Sequence, residues 1–393
     1  MRRREMIAFM LGVVFLLTGV LLVHDGSAAT WEAVIATAAA DYSSGAHSVA
    51  SVDRPRTIQN NLVPTISDIT VVARGKYFFR IERYNADNIA KYDITNPGSP
   101  IWQFSTMDST DVQSSDPHDM VFASSVKAFV LRYGSTKAWI VNPNATVESQ
   151  FKKGELDLSH YADSDGIPEM HSGVIANGKL FIVLQRVDSD NGWVPSNTPY
   201  LAVFDVKTNK EIDTGKGKGG LKGIPLPVRN PMAIRYCKGN NTIYVQGVGS
   251  YPGFGNPQYE YTGGIVAVNP DTYSRKMVVN DGDQTNHPYG AISGMAIVSR
   301  TKGYFVGYKG WGNNLLYRFN PTTGKVLGKV GQGLENINIP GFDSSGVQGD
   351  KNGMLWVCDA SKARVVILNT KTNKVDQSLK TGLNPQKVVF VKY

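Results

Sequence analysis

The chain has 393 residues, of which 40 are glycine, 41% are hydrophobic and 19% are charged. This composition is typical of one large β-sheet body, and it excludes collagen and bulk disorder. Two cysteines, Cys237 and Cys358, are too few for a zinc ribbon, a disulfide scaffold or covalent c-type haem. The formal net charge is +8, but the positive residues form no dense stripe, which argues against a nucleic-acid partner.

The first residues have the pattern of an export signal. Arg2–Arg4 precede an uncharged apolar run over residues 6–23, and Ser27–Ala29 supplies the small residues that signal peptidase requires. We therefore predict that residues 1–29 are a signal peptide and that residues 30–393 form a single domain in the periplasm or outside the cell. The apolar run is also long enough for an uncleaved anchor, and we expect membrane contact only in that case.

Beyond this leader, one unit of about 40 to 60 residues recurs along the chain. Each copy has an apolar strand, a short turn, a strand rich in Phe, Tyr and Val, and a third strand that ends near Asp or Asn. The first complete copy is predicted at residues 68–73, 76–83, 88–94 and 102–105, and the second at 120–123, 128–132 and 137–141. Later copies begin near residues 171, 232, 292 and 346, with second strands at 179–185, 242–247, 303–308 and 354–358.

The two ends of the chain supply one further copy. The segment Asn384–Phe390 repeats the first-strand phrase of Asn230–Tyr236, yet the chain stops three residues later. Its missing strands are predicted around residues 33–60. Joining the last strand to three N-terminal strands closes a ring and leaves no open edge to aggregate. The sequence therefore predicts an all-β fold, a seven-bladed β-propeller.

Short turns between the outer strands carry a family resemblance. The segments 205–210 and 320–326 place Asn or Gly where a tight turn needs positive φ. These phrases resemble the YVTN-type repeats of exported bacterial propellers, and the resemblance covers the whole mature chain. The segments 157–170 and 185–188 are similar to a signature of uncharacterised secreted bacterial propellers. The resemblance implies a fold and an exported location, and it implies no reaction.

Polar residues are predicted to gather on one face of the ring, because the links between blades and the links from second to third strands open on the same side. Arginine side chains there are forked donors for an anionic ligand, or they form ion pairs that brace adjacent blades. A histidine there could act as a general base or could bond a neighbouring blade. The ligand-binding candidates are Arg83, Arg132, Gln185, Arg186, His118 and His171.

The same face carries acidic turns. Carboxylate oxygens suit calcium, while histidine ligands would favour a softer divalent metal. The turns lack the twelve-residue spacing of an EF-hand, and Asp also occurs in turns because it bonds its own backbone. The candidates for a site that binds calcium or another divalent metal are Asp163, Asp165, Glu169, Asp188 and Asp190.

Taken together, these features favour an exported, non-enzymatic binding or scaffold propeller of the cell envelope, because the face has varied polar groups but no complete catalytic set. Its partner is expected to be a cell-envelope protein, a glycan or a small anion, and the aromatic segment 251–261 is a candidate glycan contact. The alternative is a metal-dependent hydrolase or lactonase that activates water on this face. A quinone-dependent oxidoreductase is a third class, for which the sequence has no docking signature.

Overall fold

The computed structural model describes residues 29–250, 260–310, 313–330, 334 and 347–393. Its strands form seven four-stranded antiparallel sheets arranged as the blades of a ring. The chain is a seven-bladed β-propeller, as the repeats predict. Almost all of the predicted signal peptide and of the aromatic segment 251–261 lies outside the described residues. Within the described ranges, no helix has the length and apolarity needed to cross a bilayer.

The first half of the ring comprises fifteen strands. In chain order they are β1 (Trp31–Ala38), β2 (Gly45–Ser51), β3 (Ile58–Thr65), β4 (Ile69–Arg74), β5 (Tyr77–Glu82), β6 (Asn88–Asp93), β7 (Asn96–Ser105), β8 (Pro117–Phe122), β9 (Ala128–Arg132), β10 (Lys137–Val141), β11 (Lys152–Asp157), β12 (Met170–Ala176), β13 (Lys179–Leu184), β14 (Tyr200–Asp205) and β15 (Ile224–Pro225).

Within the described residues, the second half comprises thirteen strands, and four short 3-10 turns join strands around the ring. The strands are β16 (Pro231–Cys237), β17 (Thr242–Gly247), β18 (Gly264–Val268), β19 (Arg275–Asn280), β20 (Ala291–Ser299), β21 (Lys302–Tyr308), β22 (Asn314–Phe319), β23 (Val326–Lys329), β24 (Val347–Gly349), β25 (Met354–Asp359), β26 (Arg364–Asn369), β27 (Lys374–Lys380) and β28 (Asn384–Lys392). The 3-10 turns are Glu148–Gln150, Ser159–Tyr161, Lys238–Asn240 and Ala360–Lys362.

Blades 1 to 6 each take four consecutive strands, from β4–β7 to β24–β27, with the inner strand first. Blade 7 has the order β28-β1-β2-β3, so the C-terminal strand is its inner strand. All eight residues of β1 pair with β28, from Trp31 opposite Lys392 to Ala38 opposite Asn384. The predicted closure of the ring by one C-terminal and three N-terminal strands is therefore confirmed.

The core consists of apolar layers between neighbouring blades. Successive side chains of a strand point to opposite faces, so a middle strand that is covered on both faces needs apolar residues throughout. Strand β13 shows this pattern. Leu180, Ile182 and Leu184 pack toward blade 2, while Phe181 and Val183 pack toward blade 4. Each blade thus contributes one face to each of two cores.

The residue before the inner strand is left-handed in four consecutive blades. Asp116, Glu169 and Asn230 have φ of 43°, 47° and 46°, and Gly290 has φ of 70°. Glycine and asparagine adopt this conformation readily, whereas a glutamate is strained there. A strained residue that persists is a hint of function, and this position lies at the inner edge of the predicted functional face.

Cross-blade hydrogen bonds fix the spacing of the blades. Near the start of the second strand, Lys127, Lys179 and Lys302 each donate from Nζ to a carbonyl in the outer turn of the next blade, at 2.5, 2.8 and 2.9 Å. On the third strand of blade 7, His47 Nε2 makes a similar bond to the Pro97 carbonyl of blade 1 at 2.9 Å. A histidine thus holds blade 7 against blade 1.

His47 is fully buried between the rings of Phe78 and Tyr92, with Arg80 Nη1 3.3 Å from its Nδ1. Burial lowers the pKa of His47 to about 4; the hydrogen bond to the Pro97 carbonyl offsets part of this effect, and the charge of Arg80 adds a smaller decrease. The folded protein therefore keeps this imidazole neutral at a pH where the unfolded chain, with a pKa near 6.5, already binds a proton.

We therefore expect acid to destabilise the ring through His47. Stability is fully present above pH 6.5 and decreases as pH falls toward 4, by up to about 3 kcal/mol for this one group. Urea unfolding of the wild type and of His47→Gln between pH 7 and pH 4 measures the effect, and the variant should show a flatter dependence. His160→Gln, which changes an exposed histidine, is the control. An identical dependence of stability on pH in all three proteins would show that His47 does not cause the loss of stability in acid.

Candidate functional site

Two segments of blade 3 meet on the predicted face. One is the link from blade 2, residues 162–169, which carries Asp163 and Asp165 and ends at Glu169, directly before β12. The other is the loop from the second to the third strand, residues 185–199, between β13 and β14. The ring thus brings together two loops that are separated in sequence, and both contribute polar groups to one cluster.

The cluster consists of three carboxylates. Asp163, Asp165 and Glu169 each offer one oxygen, and these oxygens all lie within 4.8 Å of one another. In the described part of the chain, no other set of three or more His, Cys, Asp or Glu side chains meets this condition. The donors are therefore all oxygen, which suits a hard cation such as calcium and disfavours the softer metals that histidine or cysteine would select.

The 185–199 loop donates hydrogen bonds to one oxygen of each carboxylate. Asp165 Oδ2 accepts from the backbone and hydroxyl of Ser189 at 3.0 and 2.7 Å. Asn197 Nδ2 donates to Asp163 Oδ2 at 2.7 Å. The backbone N–H of Val187 donates to Glu169 Oε2 at 3.1 Å. These bonds orient the carboxylates in the way that outer partners orient metal ligands.

Two oxygens of the cluster are buried and unsatisfied. Asp163 Oδ1 and Glu169 Oε1 have no hydrogen-bond partner among the described residues, and Glu169 is 0% exposed. An unpaired buried acceptor costs about 1–3 kcal/mol, and more when it is charged. A cation bound between the carboxylates would supply the missing partner for both oxygens.

The pKa values of the three carboxyl groups reflect their burial and their closeness to one another. Burial, reinforced by the charges of Asp165 and Asp163, raises the pKa of Glu169 to about 10. Burial and the adjacent Asp165 also raise the pKa of Asp163. Burial alone would raise the pKa of Asp165, but the hydrogen bonds from Ser189 and Ile167 outweigh it and lower that pKa. Without a bound cation Glu169 therefore keeps its proton at neutral pH, and a cation would favour its ionised form.

The other two metal candidates lie apart from this cluster. Asp188 Oδ1 accepts from the Asn191 backbone at 3.1 Å, within its own turn. Asp190 is exposed at the tip of the same loop. For these two residues the sequence-based alternative, an acidic turn that bonds its own backbone, describes the geometry better.

Histidine and tyrosine side chains form a second group on the face. His118 stacks on Tyr133, with ring centroids 4.1 Å apart, and His171 meets His118 edge-on at 5.1 Å. His118 Nε2 lies 3.3 Å from Asp116 Oδ2. Burial would raise the pKa of Asp116, but His118 and Arg83 outweigh it and lower that pKa. The group brings blades 2 and 3 together at the mouth of the central channel.

Gln185 extends this group across three blades. The Tyr133 hydroxyl donates to Gln185 Oε1 at 2.7 Å, and Gln185 Nε2 donates to Asn230 Oδ1 at 2.8 Å. Both polar atoms of the Gln185 amide therefore form hydrogen bonds inside the ring, and the residue is 3% exposed. Its observed contacts brace blades 2, 3 and 4.

The arginine candidates do not converge. Arg132 is buried, pairs with Asp111 and lies 4.7 Å over the Trp139 ring. Arg186 donates to the Thr198 carbonyl at 3.0 Å within blade 3. The ion pair of Arg132 matches the bracing alternative, whereas the Arg186 contact is a hydrogen bond to a carbonyl of its own blade. Arg83 pairs at 2.6 Å with Asp68, in the link directly before its blade, and also lines the central channel.

The channel contains a cavity of about 550 Å³. His118 and His171 line it toward the functional face, and Arg235 and Lys387 line its interior. Sequence reasoning missed these last two residues. Each is a basic residue inside an otherwise apolar inner strand. Such a residue indicates a side chain that faces the channel, because the apolar core between blades would exclude its charge.

Comparison with known proteins supports the fold. A Lactobacillus plantarum protein aligns over 92% of this chain and 99% of its own, with 12% identity and a TM-score of 0.61. A "putative 6-phosphogluconolactonase" from Bacteroides fragilis aligns over 92% and 98%, with 12% identity and a TM-score of 0.60. Apo AztD from Citrobacter koseri aligns over 93% and 99%, with 13% identity and a TM-score of 0.51.

No protein-family model and no curated protein matches the chain. At 12–13% identity, the three structural similarities establish the propeller architecture alone. Any function must therefore be argued from the side chains of this chain.

Proposed function

We propose that this protein is an exported binding propeller whose functional face holds a divalent cation of the calcium class. The observation that carries the proposal is the pair of buried, unpartnered oxygens of Asp163 and Glu169, which converge with Asp165 within 4.8 Å. The strain at Glu169, with φ of 47°, adds support, because asparagine or glycine would fill that position more easily.

Calcium fits the ligand chemistry better than magnesium does. Calcium accepts six to eight oxygens in flexible geometry, whereas magnesium requires a near-ideal octahedron and retains several waters. The three carboxylates come from an irregular link, and Asn197 Nδ2 and the Ser189 hydroxyl of the neighbouring loop orient two of them by donating hydrogen bonds. Carboxylate oxygens in such an irregular arrangement suit the adaptable coordination of calcium.

The bound cation would join the link from blade 2 to the 185–199 loop. Both segments form the rim around His118 and Tyr133, so the cation would set the shape of the surface that a partner contacts. This is a binding role, and the partner classes remain a cell-envelope protein, a glycan or a small anion.

A metal-dependent hydrolase or lactonase is the second candidate. The pair of Asp116 and His118, 3.3 Å apart on the same face, is the observation that favours it, because a carboxylate can orient a histidine as a general base. This candidate predicts chelator-sensitive hydrolysis of a simple ester or lactone. The binding proposal predicts no turnover of either compound.

Calorimetric titration of calcium into chelator-treated protein tests the cation site. We expect one cation per chain in the wild type and in Asp190→Asn, which removes an exposed carboxylate from the adjacent loop. The double variant Asp163→Asn with Asp165→Asn should bind none, because two of the three charged ligands are lost. Binding in the double variant equal to the wild type, or equal loss in Asp190→Asn, would contradict the site.

The exported location is part of the same proposal. Its support is the sequence of residues 1–29, with a basic start, an apolar run and small residues at the end. N-terminal sequencing of protein from the native compartment should give a first residue near Thr30. Membrane-bound protein that retains Met1 would show an anchor instead.

A further inference from the structure

Two aromatic side chains are exposed on the functional face. Trp193 lies in the 185–199 loop of blade 3 and is 42% exposed, and Tyr84 lies in the link from β5 to β6 of blade 1 and is 61% exposed. Both segments connect a second strand to a third strand, so both open on the same side of the ring. The two rings therefore flank blade 2 from its two sides.

The backbone holds Trp193 in a strained conformation. Its φ is 65°, in the left-handed region, where a bulky residue is an outlier. The Trp193 N–H donates to the Asp188 carbonyl at 2.8 Å, and the Asp188 N–H donates to the Val194 carbonyl at 3.1 Å, so hydrogen bonds close the tip of the loop. A strained residue that is retained at a loop tip is a hint of function.

Tyr133 of blade 2 supports the indole of Trp193. The two rings are stacked with centroids 6.2 Å apart, and Tyr133 is stacked in turn on His118 at 4.1 Å. The Tyr133 hydroxyl donates to Gln185 at 2.7 Å, which fixes the supporting ring. Trp193 thus presents its exposed part in one orientation, and a ligand that binds there has little ordering to impose.

Polar groups surround the two exposed rings. Asn191 and Ser196 are exposed on either side of Trp193 in its loop. The link 106–116, which lies between the two rings, consists mainly of Asp, Ser and Thr, and Val112 is its exposed apolar residue. The core of a protein interface needs a contiguous apolar patch. Separate rings among amides, hydroxyls and carboxylates instead match a sugar, which has flat C–H faces and hydroxyl groups along its edges.

The charge of this surface argues against an acidic glycan. The link 106–116 and the 185–199 loop together carry five aspartates and one arginine. Lys152 and Arg132 pair with two of the aspartates, and Arg186 donates to backbone carbonyls. The surface therefore keeps an excess of negative charge, which would repel an anionic ligand.

We propose that Trp193 and Tyr84 bind an uncharged linear glycan whose sugar rings have flat C–H faces, as the glucose units of cellulose and the N-acetylglucosamine units of chitin do. The aromatic rings stack on these faces, and Asn191 and Ser196 bond the sugar hydroxyls. Stacked sheets lie about 10 Å apart, so rings that are two blades apart are separated by roughly 20 Å, which requires an oligosaccharide. The inference names the partner of the binding role proposed above and rests on that role.

Glycan binding and cation binding can nevertheless fail separately. Ser189 and Asn197 hold the 185–199 loop to the carboxylates of Asp165 and Asp163 by hydrogen bonds that need no cation. The loop therefore keeps Trp193 in place when divalent cations are removed, and we expect the glycan to bind in chelator.

Calorimetric titrations in chelator test the proposal with four probes: cellohexaose, chitohexaose, the acidic hexagalacturonate and glucose. We expect one molecule of at least one neutral hexasaccharide to bind per chain, and hexagalacturonate and glucose to bind more weakly. Binding of cellohexaose alone would assign a glucan, and binding of chitohexaose alone would assign an acetylated amino-sugar glycan. If neither binds at millimolar concentration, the glycan is overturned and a cell-envelope protein becomes the partner of this face.

Variants locate the binding. Trp193→Ala should weaken the bound hexasaccharide by about tenfold or more, because an anchoring ring is lost, and Trp193→Phe should retain most of the affinity. Tyr84→Ala should weaken it by a smaller factor, and Tyr393→Ala, which removes an exposed tyrosine at the end of the chain, should have no effect.

Calcium titration of Trp193→Ala should match the wild type and shows that the fold and the loop are intact. The proposal is overturned if Trp193→Ala binds the hexasaccharide like the wild type, or if hexagalacturonate binds as tightly as the neutral hexasaccharides.

Discussion

Deletion of Asn384–Tyr393 should abolish the cooperative unfolding transition of the ring. The deletion removes β28, which pairs with all eight residues of β1, and it uncovers the buried residues Ala33 to Ala36. The lost core and strand pairing are comparable with the whole stability of a typical domain, about 5–15 kcal/mol. Thermal unfolding followed by circular dichroism should show a transition that is lowered by tens of degrees or is absent, together with aggregation through the open edge.

Two controls separate ring closure from general damage. Removal of Tyr393 alone leaves β28 in place and should shift the midpoint only slightly. A synthetic peptide with the sequence 384–393, added to the truncated protein, should restore part of the transition by pairing with β1. A truncated protein with the midpoint of the intact chain would show that β28 does not close the ring.

Glu169→Gln should stabilise the protein in the presence of chelator. Because the folded-state pKa is raised to about 10 from an ordinary value of 4.5, the stability that this group contributes is complete below pH 4.5 and decreases as pH rises toward 10. At pH 7 the folded protein must hold a proton that the unfolded chain releases, which costs about 3 kcal/mol. Glutamine keeps the shape and removes this cost.

Calcium should reverse the ranking of the two proteins. The wild type gains stability on calcium binding, since a ligand that binds only the folded state shifts the unfolding equilibrium, whereas Glu169→Gln has lost a charged ligand and should gain little. Asp190→Asn removes an exposed charge, so its stability should stay within about 0.5 kcal/mol of the wild type in both conditions. If Glu169→Gln melts at or below the wild-type temperature in the presence of chelator, the predicted cost of holding a proton on Glu169 is wrong.

The architecture could be predicted from the sequence because it depends on local patterns that are repeated many times. Apolar strands such as Leu180–Leu184, together with turns built on Asn and Gly, recur at intervals that only stacked blades can satisfy. The closure was readable for the same reason, since Asn384–Phe390 repeats a first-strand phrase whose later strands occur at the other end of the chain.

The candidate site was only partly readable, because ring geometry gives the face on which a residue lies and does not give its partners. Asp163, Asp165 and Glu169 share a link, so their proximity follows from sequence. Arg83 and Arg132 have the same strand-end position, and each pairs with an aspartate of the inter-blade link that precedes its blade, Asp68 and Asp111 respectively. That pairing depends on tertiary packing, and no local pattern encodes it.

The basic residues of the cavity were missed for a related reason. Lys387 and Arg235 occur in strands that read as apolar, and the side of the strand on which they lie depends on register. One residue of slip would move each of them from the channel to an interblade core.

The central claim is that a single cation binds between the two loops of blade 3. Crystals of chelator-treated protein soaked in terbium, which replaces calcium at oxygen sites, allow the ion to be located by anomalous diffraction. We expect one strong peak in contact with Asp163 Oδ1, Glu169 Oε1 and a carboxylate oxygen of Asp165. A map without a peak at these oxygens, in crystals that remain well ordered, would contradict the account.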